Sequence, residues 1–132
     1  MIAAALIVLA AAATGQEPEI DCANPSTQSD MNVCAYQDFK RADAALNAQW
    51  AITTAQMKER DRDTLRPEDT RPGYFDTLLA GQRAWLTYRE QHCASEGYLM
   101  RGGTAEPLLI SGCQTQLTDA RTAQLKSLIE EY

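Results

Sequence analysis

Four cysteines, Cys22, Cys34, Cys93 and Cys113, constrain this chain of 132 residues more than any other feature. An even number of cysteines in a short exported chain reads as a disulfide framework. Export is what the amino terminus predicts. Residues 1–13 carry no charged side chain and end in Ala11-Ala12-Ala13, the small-x-small pattern that signal peptidase cuts after. A bilayer span needs about 20 apolar residues, whereas Gln16, Glu17, Glu19 and Asp21 end this stretch early. The expectation is a signal peptide at 1–13, no membrane anchor after cleavage, and a periplasmic or secreted protein that folds where thiols oxidise. Glu19-Ile20-Asp21 precede Cys22 in place of the small apolar residues of a lipoprotein cleavage site, so lipidation is not expected.

Residues 14–132 suffice for one domain with a hydrophobic core and are too few for two. The net charge of −6 argues against a nucleic-acid partner, which needs clustered Lys and Arg. The same charge permits attraction to a basic protein.

The pattern of apolar residues predicts three helices and no strand. After an extended amino-terminal segment at 14–26, Thr27 can cap a helix, with Asp30 as the acidic half of a capping box. Met31, Ala35, Phe39, Ala42, Leu46, Trp50, Thr53 and Met57 then recur at spacings of three or four, one stripe on a helix of roughly Gln28 to Arg62. Pro67, Pro72, Gly73 and a run of charges mark a polar turn. A second helix is expected from about Tyr74 to Met100, with Phe75, Leu78, Gln82, Trp85, Arg89 and Cys93 on one face. Arg101-Gly102-Gly103 stops it. Thr104 can cap a third helix, and Pro107 falls in its first turn, where a missing N–H costs nothing. Leu109, Cys113, Leu117, Ala120 or Arg121, Gln124 or Leu125, Leu128 and Tyr132 would line that helix's inner face. The fold class is all-α: a small antiparallel three-helix bundle stapled by two disulfides, spanning residues 27–132.

Four cysteines allow three pairings. Cys93 precedes the Gly102-Gly103 turn by about two helical turns, and Cys113 follows it by two to three, so both sit at similar heights on adjacent antiparallel helices. This favours Cys93–Cys113, with Cys22 reaching back to Cys34. The rival set, Cys22–Cys113 with Cys34–Cys93, would tie the first helix to the other two and stays open.

No catalytic set, metal site or cofactor motif is visible. His92 is the lone histidine, and one imidazole without a nucleophile in a strained turn makes no triad. The cysteines lack the C-x-x-C knuckle spacing of zinc sites, and Gly102-Gly103 lacks the strand and lysine of a phosphate loop. Gln82 and Arg89 nevertheless share a stripe with core residues, and Arg121 holds a similar inward position on the third helix. A charge facing the core needs a partner, because burying it unpaired costs several kcal/mol. Arg89 or Arg121 is expected to pair with Asp43, with Asn47 and Gln82 completing a structural polar network.

These residues resemble a known family. Cys22, Thr27, Met31-Asn32, Cys34, Asp43, Leu46-Asn47 and Trp50 are similar to the opening of the LprI-type lysozyme-inhibitor domain. Gln82, Trp85, Tyr88-Arg89, Cys93, Gly102-Gly103-Thr104, Cys113, Thr118, Arg121 and Leu125 follow that family's order and spacing. The resemblance runs from about Asp21 to Leu128. It implies a small exported bacterial helical domain, in a family named for a member that inhibits animal-type lysozyme. The lack of an acid–base or nucleophile set in this chain adds the expectation that it is not an enzyme. Such lysozymes are basic and cut in a cleft lined by two carboxylates, so an acidic domain would be steered toward them. The two turns, Arg66 to Tyr74 and Tyr98 to Glu106, are the candidate docking segments. Within the second, Tyr98, Leu99 and Met100, apolar residues at a helix end, and Arg101 beside them are the candidate partner-binding residues. The alternative is a periplasmic interaction or stress-related module with a different partner.

Overall fold

The computed structural model describes residues 19–130. The expected signal peptide therefore lies outside the described residues. Three helices, α1 (Gln28–Thr64), α2 (Tyr74–Gly97) and α3 (Glu106–Glu130), form an antiparallel bundle, and a 3-10 turn, Tyr98–Met100, follows α2 directly. No strand occurs among the described residues. α1 packs most extensively against α3 and least against α2.

Local chemistry accounts for the helix ends. The Asp30 N–H donates to Thr27 Oγ1 at 3.0 Å, and Asp30 Oδ2 accepts from the Thr27 N–H at 3.2 Å, closing a capping box. The bond from Thr27 holds the Asp30 carboxyl below its ordinary pKa. α1 ends where Leu65 turns extended, and the chain enters a polar turn in which Asp69 accepts from the Arg71 guanidinium at 2.9 and 2.6 Å. Those bonds bring the Asp69 pKa down to about 2.

Gly73, at the N-cap of α2, has no side chain to offer the first turn. Asp61, from the end of α1, takes that role, accepting from the Tyr74 N–H at 2.6 Å and the Phe75 N–H at 3.1 Å. A Cβ on Gly73 would sit 2.7 Å from Asp61 Oδ1, so the glycine makes room for the borrowed cap. Asp61→Ala is expected to lower stability by about 0.5–2 kcal/mol, the usual range for a lost cap. Thermal unfolding followed by circular dichroism checks this, and Asp61→Asn should retain most of the stability.

The core gathers Leu46 and Met57 from α1, Leu78 from α2 and Leu125 from α3, with Trp50, Phe75, Trp85 and Ile129 packed against it. Fully burying one such leucine contributes about 1.5–3 kcal/mol. Thr53 is wholly buried among them, and its hydroxyl donates to the Leu125 carbonyl at 2.9 Å, which ties α1 to α3 within the apolar layer.

Three details differ from the sequence expectations. α2 was expected to reach Met100, but it ends at Gly97 and tightens into the 3-10 turn. At that point the chain is already turning: Gly102 takes φ 76°, and the Gly103 N–H donates to the Met100 carbonyl at 2.8 Å. Thr104 does not begin α3, which starts two residues later; Glu106 instead reaches back to accept from the Gly102 N–H at 2.7 Å. Leu128 is exposed, because the inward face of α3 continues from Leu125 to Ile129.

Candidate functional site

Two arrangements beyond the core could carry function: a polar layer through the middle of the bundle, and the turn between α2 and α3.

The polar layer is built around Arg89, which projects from α2 into the bundle and is only 6% exposed. Its Nη1 donates to Asp43 Oδ1 on α1 and to the wholly buried Thr118 hydroxyl on α3, both at 3.1 Å. Its Nε donates to Glu90 at 2.9 Å. The guanidinium sits 5.0 Å from the Phe39 ring centroid and 5.1 Å from that of Trp85. Aromatic neighbours and three acceptors let a full charge occupy a nearly dry place. Gln114 of α3 donates to the other Glu90 oxygen at 3.0 Å, so the layer reaches all three helices.

The expected single network resolves into two. Gln82 does not join Asp43; its Oε1 accepts from Arg121 Nε at 2.8 Å, and Arg121 Nη1 reaches Gln124 at 3.2 Å. Burial pushes the Arg121 pKa down from its ordinary value. Asn47 belongs to neither set. It is exposed, since Leu46 and Trp50 occupy the inward directions on that part of α1. Sequence reasoning missed Glu90 as a partner, although Thr118 carried a signal, three residues before Arg121 and seven before Leu125 on one helical face.

This layer is chemically quiet. Every buried polar side-chain atom among the described residues has a hydrogen-bond partner, so no buried donor is held in reserve for a ligand. His92 stacks on Tyr88, with centroids 5.2 Å apart and planes 12° from parallel, and its Nε2 lies 3.1 Å from Glu96. That is a tethered surface imidazole.

The turn has the opposite character. Leu99 is 81% exposed, and Tyr98 and Met100 beside it are also exposed. The Arg101 guanidinium lies 4.5 Å over the Tyr98 ring. The backbone beneath is fastened from several directions. The Arg101 N–H donates to the Tyr98 carbonyl at 3.2 Å, and Asn32 of α1 donates to the Thr104 carbonyl at 2.8 Å. Cys93–Cys113 joins the two helices that carry the turn, with Cα atoms 5.4 Å apart, and Cys22–Cys34 fastens the amino-terminal segment to the start of α1. Both favoured pairings are therefore those of the structure. Near the root of the turn α2 and α3 approach closely: a Cβ on Gly97 would meet Ile110 Cγ1 at 2.4 Å. An open, largely apolar groove bordered by Tyr36, Pro107 and Ile110 adjoins the turn.

No helix of the described residues is long and apolar enough to cross a membrane, and the two disulfides fit an oxidising compartment. No solved structure matches the chain. An uncharacterised protein of Rhizobium meliloti (strain 1021) is 41% identical over 125 residues, covering 95% of this chain and 90% of the relative. The family model for lysozyme inhibitor LprI matches residues 21–125. With that match covering most of the chain, the three-helix bundle and its two disulfides belong to a member of the LprI family.

Proposed function

We propose that the protein binds and inhibits a basic, animal-type lysozyme, with Tyr98, Leu99, Met100 and Arg101 as its docking element. The observation that carries this reading is Leu99, 81% exposed on a turn whose backbone and flanking helices are tied down. Covering a leucine on binding is worth about 1.5–3 kcal/mol. A turn already held in shape loses little conformational freedom when it docks, so more of that gain survives as affinity. Arg101 supplies a cation for the carboxylates of a glycosidase cleft. The net charge of −6 on the chain supports long-range steering toward a basic enzyme. The activity is binding, with no reaction assigned to this chain.

The test is a lytic assay in which the oxidised protein is titrated into a hen-type lysozyme acting on bacterial cell walls. Dose-dependent inhibition that weakens as salt is raised is expected. Leu99→Asp should weaken inhibition by about tenfold or more, in keeping with a central contact residue. Arg101→Ala should weaken inhibition at a given salt concentration through loss of the contact with the cleft carboxylates, while the steering by the remaining acidic charge persists. Absence of inhibition at low salt and micromolar protein, with helices and disulfides intact, overturns the reading in favour of an interaction module with another partner.

A further inference from the structure

We propose that the reduced protein holds one zinc ion between α2 and α3, ligated by Cys93, Cys113, His92 and Glu96. Ligand atoms of His92, Glu96 and Cys113 already lie within 4.8 Å of one another. Cys93 Sγ is bonded to Cys113 Sγ at 2.05 Å, which brings a second sulfur beside that three-ligand cluster as its fourth ligand. In the oxidised chain both sulfurs belong to the disulfide and neither is a thiolate. Only the reduced chain offers the set.

Bond lengths of about 2.3 Å to sulfur and about 2.0–2.2 Å to nitrogen and oxygen place tetrahedral zinc ligands roughly 3.3–3.8 Å apart. Side-chain rotation at four neighbouring positions covers the difference. His92 and Glu96 stand one turn apart on α2, on the same side of the helix. Their side chains are 40% and 44% exposed, which gives an ion a path in from solvent. The sulfurs lie beneath, with Cys93 at 0% and Cys113 at 4% exposure. Tyr88, stacked face to face on His92, restrains the tilt of the imidazole and leaves its in-plane nitrogens free of the stack. Two thiolates, one imidazole and one carboxylate supply four ligands of types that zinc accepts, enough to complete a tetrahedral shell.

A phosphine reductant and one water become a phosphine oxide while the S–S bond breaks to two thiols. Zinc then displaces both thiol protons and binds the two thiolates, neutral His92 and ionised Glu96. The metal would thereby hold α2 to α3 in a chain whose disulfide has not formed, replacing one cross-link by another.

The test uses the Cys22→Ser/Cys34→Ser variant, which keeps one cysteine pair, reduced with phosphine and freed of reductant without oxygen. Cobalt(II) is then titrated. One equivalent should produce the intense visible bands of a tetrahedral thiolate site, and zinc should bleach them. His92→Ala and Glu96→Gln should each weaken cobalt binding by about tenfold or more, while the oxidised protein gives no such bands. The proposal is overturned by an octahedral spectrum, by uptake that survives Cys93→Ser/Cys113→Ser, or by unchanged affinity in both ligand variants. Should the reduced chain lose its helical dichroism, recovery on adding zinc supports the site, and failure to recover overturns it.

Discussion

Arg89→Ala is expected to lower stability by about 3–5 kcal/mol, the range for breaking a buried charge pair from one side. The substitution removes a guanidinium that bridges Asp43 and Thr118 and fills the space between the Phe39 and Trp85 rings. Thr118, wholly buried, loses the donor to its hydroxyl oxygen, and an unsatisfied buried polar group costs about 1–3 kcal/mol. The gap between the rings adds a cavity term. Asp43→Ala should do less, about 1–2 kcal/mol, for a reason visible in the geometry. The Asp43 side chain is 30% exposed, against 8% for that of Arg89. Without Asp43 the arginine still faces Glu90 and Thr118; without Arg89 both Asp43 and Thr118 lose their bond across the layer, and only the Gln114–Glu90 contact remains. Arg89→Lys should fall between wild type and Arg89→Ala, because one ammonium cannot satisfy acceptors spread around a planar fork. Each 1 kcal/mol corresponds to about 4–8 °C in the melting temperature of a domain of about 60–100 residues and about 2–4 °C at about 150–250 residues, with this domain between the two. Thermal unfolding of the disulfide-intact variants therefore resolves the order. Equal losses for Asp43→Ala and Arg89→Ala would place the weight of the layer on the carboxylate and refute this account.

How far such details were legible in the sequence depended on whether one helix or several decided them. The start of α1 was legible because Thr27 and Asp30 cap it from within four residues. The stripe from Ala42 through Leu46, Thr53 and Met57 is buried because a single helix's period sets it. The bridge between Cys93 and Cys113 could be favoured because a short turn puts both at similar heights. Arg89 stood out as a charge among core positions. Asp43 was legible as a partner for Arg89 or Arg121, and Arg89 takes it. Which arginine does so, and whether Asn47 joins, depends on how far α1 rotates toward α2, because residues at the edge of a stripe follow that rotation. Asp43 fell inside the contact and Asn47, one turn later, outside it. The same limit hid Glu90, whose neighbour Gln114 comes from α3. It hid Asp61 too, whose carboxylate caps a helix that begins beyond a loop. The turn at Tyr98–Met100 was marked by the two glycines, but its exposure is set by where α2 stops packing.

The two disulfides are expected to differ in what they contribute, although chain entropy alone would rank them nearly equal. Sequence separations of 12 and 20 residues correspond to about 2.8 and 3.3 kcal/mol of loop-closure stabilisation. That figure holds only if the native state keeps both ends in place once the bridge is gone. Cys93 and Cys113 meet this condition. Both are buried in packed helices, and their neighbours Gly97 and Ile110 are in close contact, so the folded chain gains little freedom when the bond is removed. Cys93→Ser/Cys113→Ser should therefore lose about 3–5 kcal/mol once the buried sulfurs' packing is included, and should loosen the turn that carries Leu99. Cys22 does not meet the condition. It is exposed in a segment ahead of α1, and the helix start it adjoins is capped independently by Thr27 and Asp30. Without the bridge, residues 22–26 are released in the native state as well as in the unfolded one, and the two entropies largely cancel. Cys22→Ser/Cys34→Ser should thus change the melting temperature by only a few degrees while opening the segment ahead of α1 to proteolysis. Equal melting losses in the two double variants would mean that the amino-terminal segment is held by the bundle itself, and would refute the distinction between a bridge that staples the bundle and one that tethers its end.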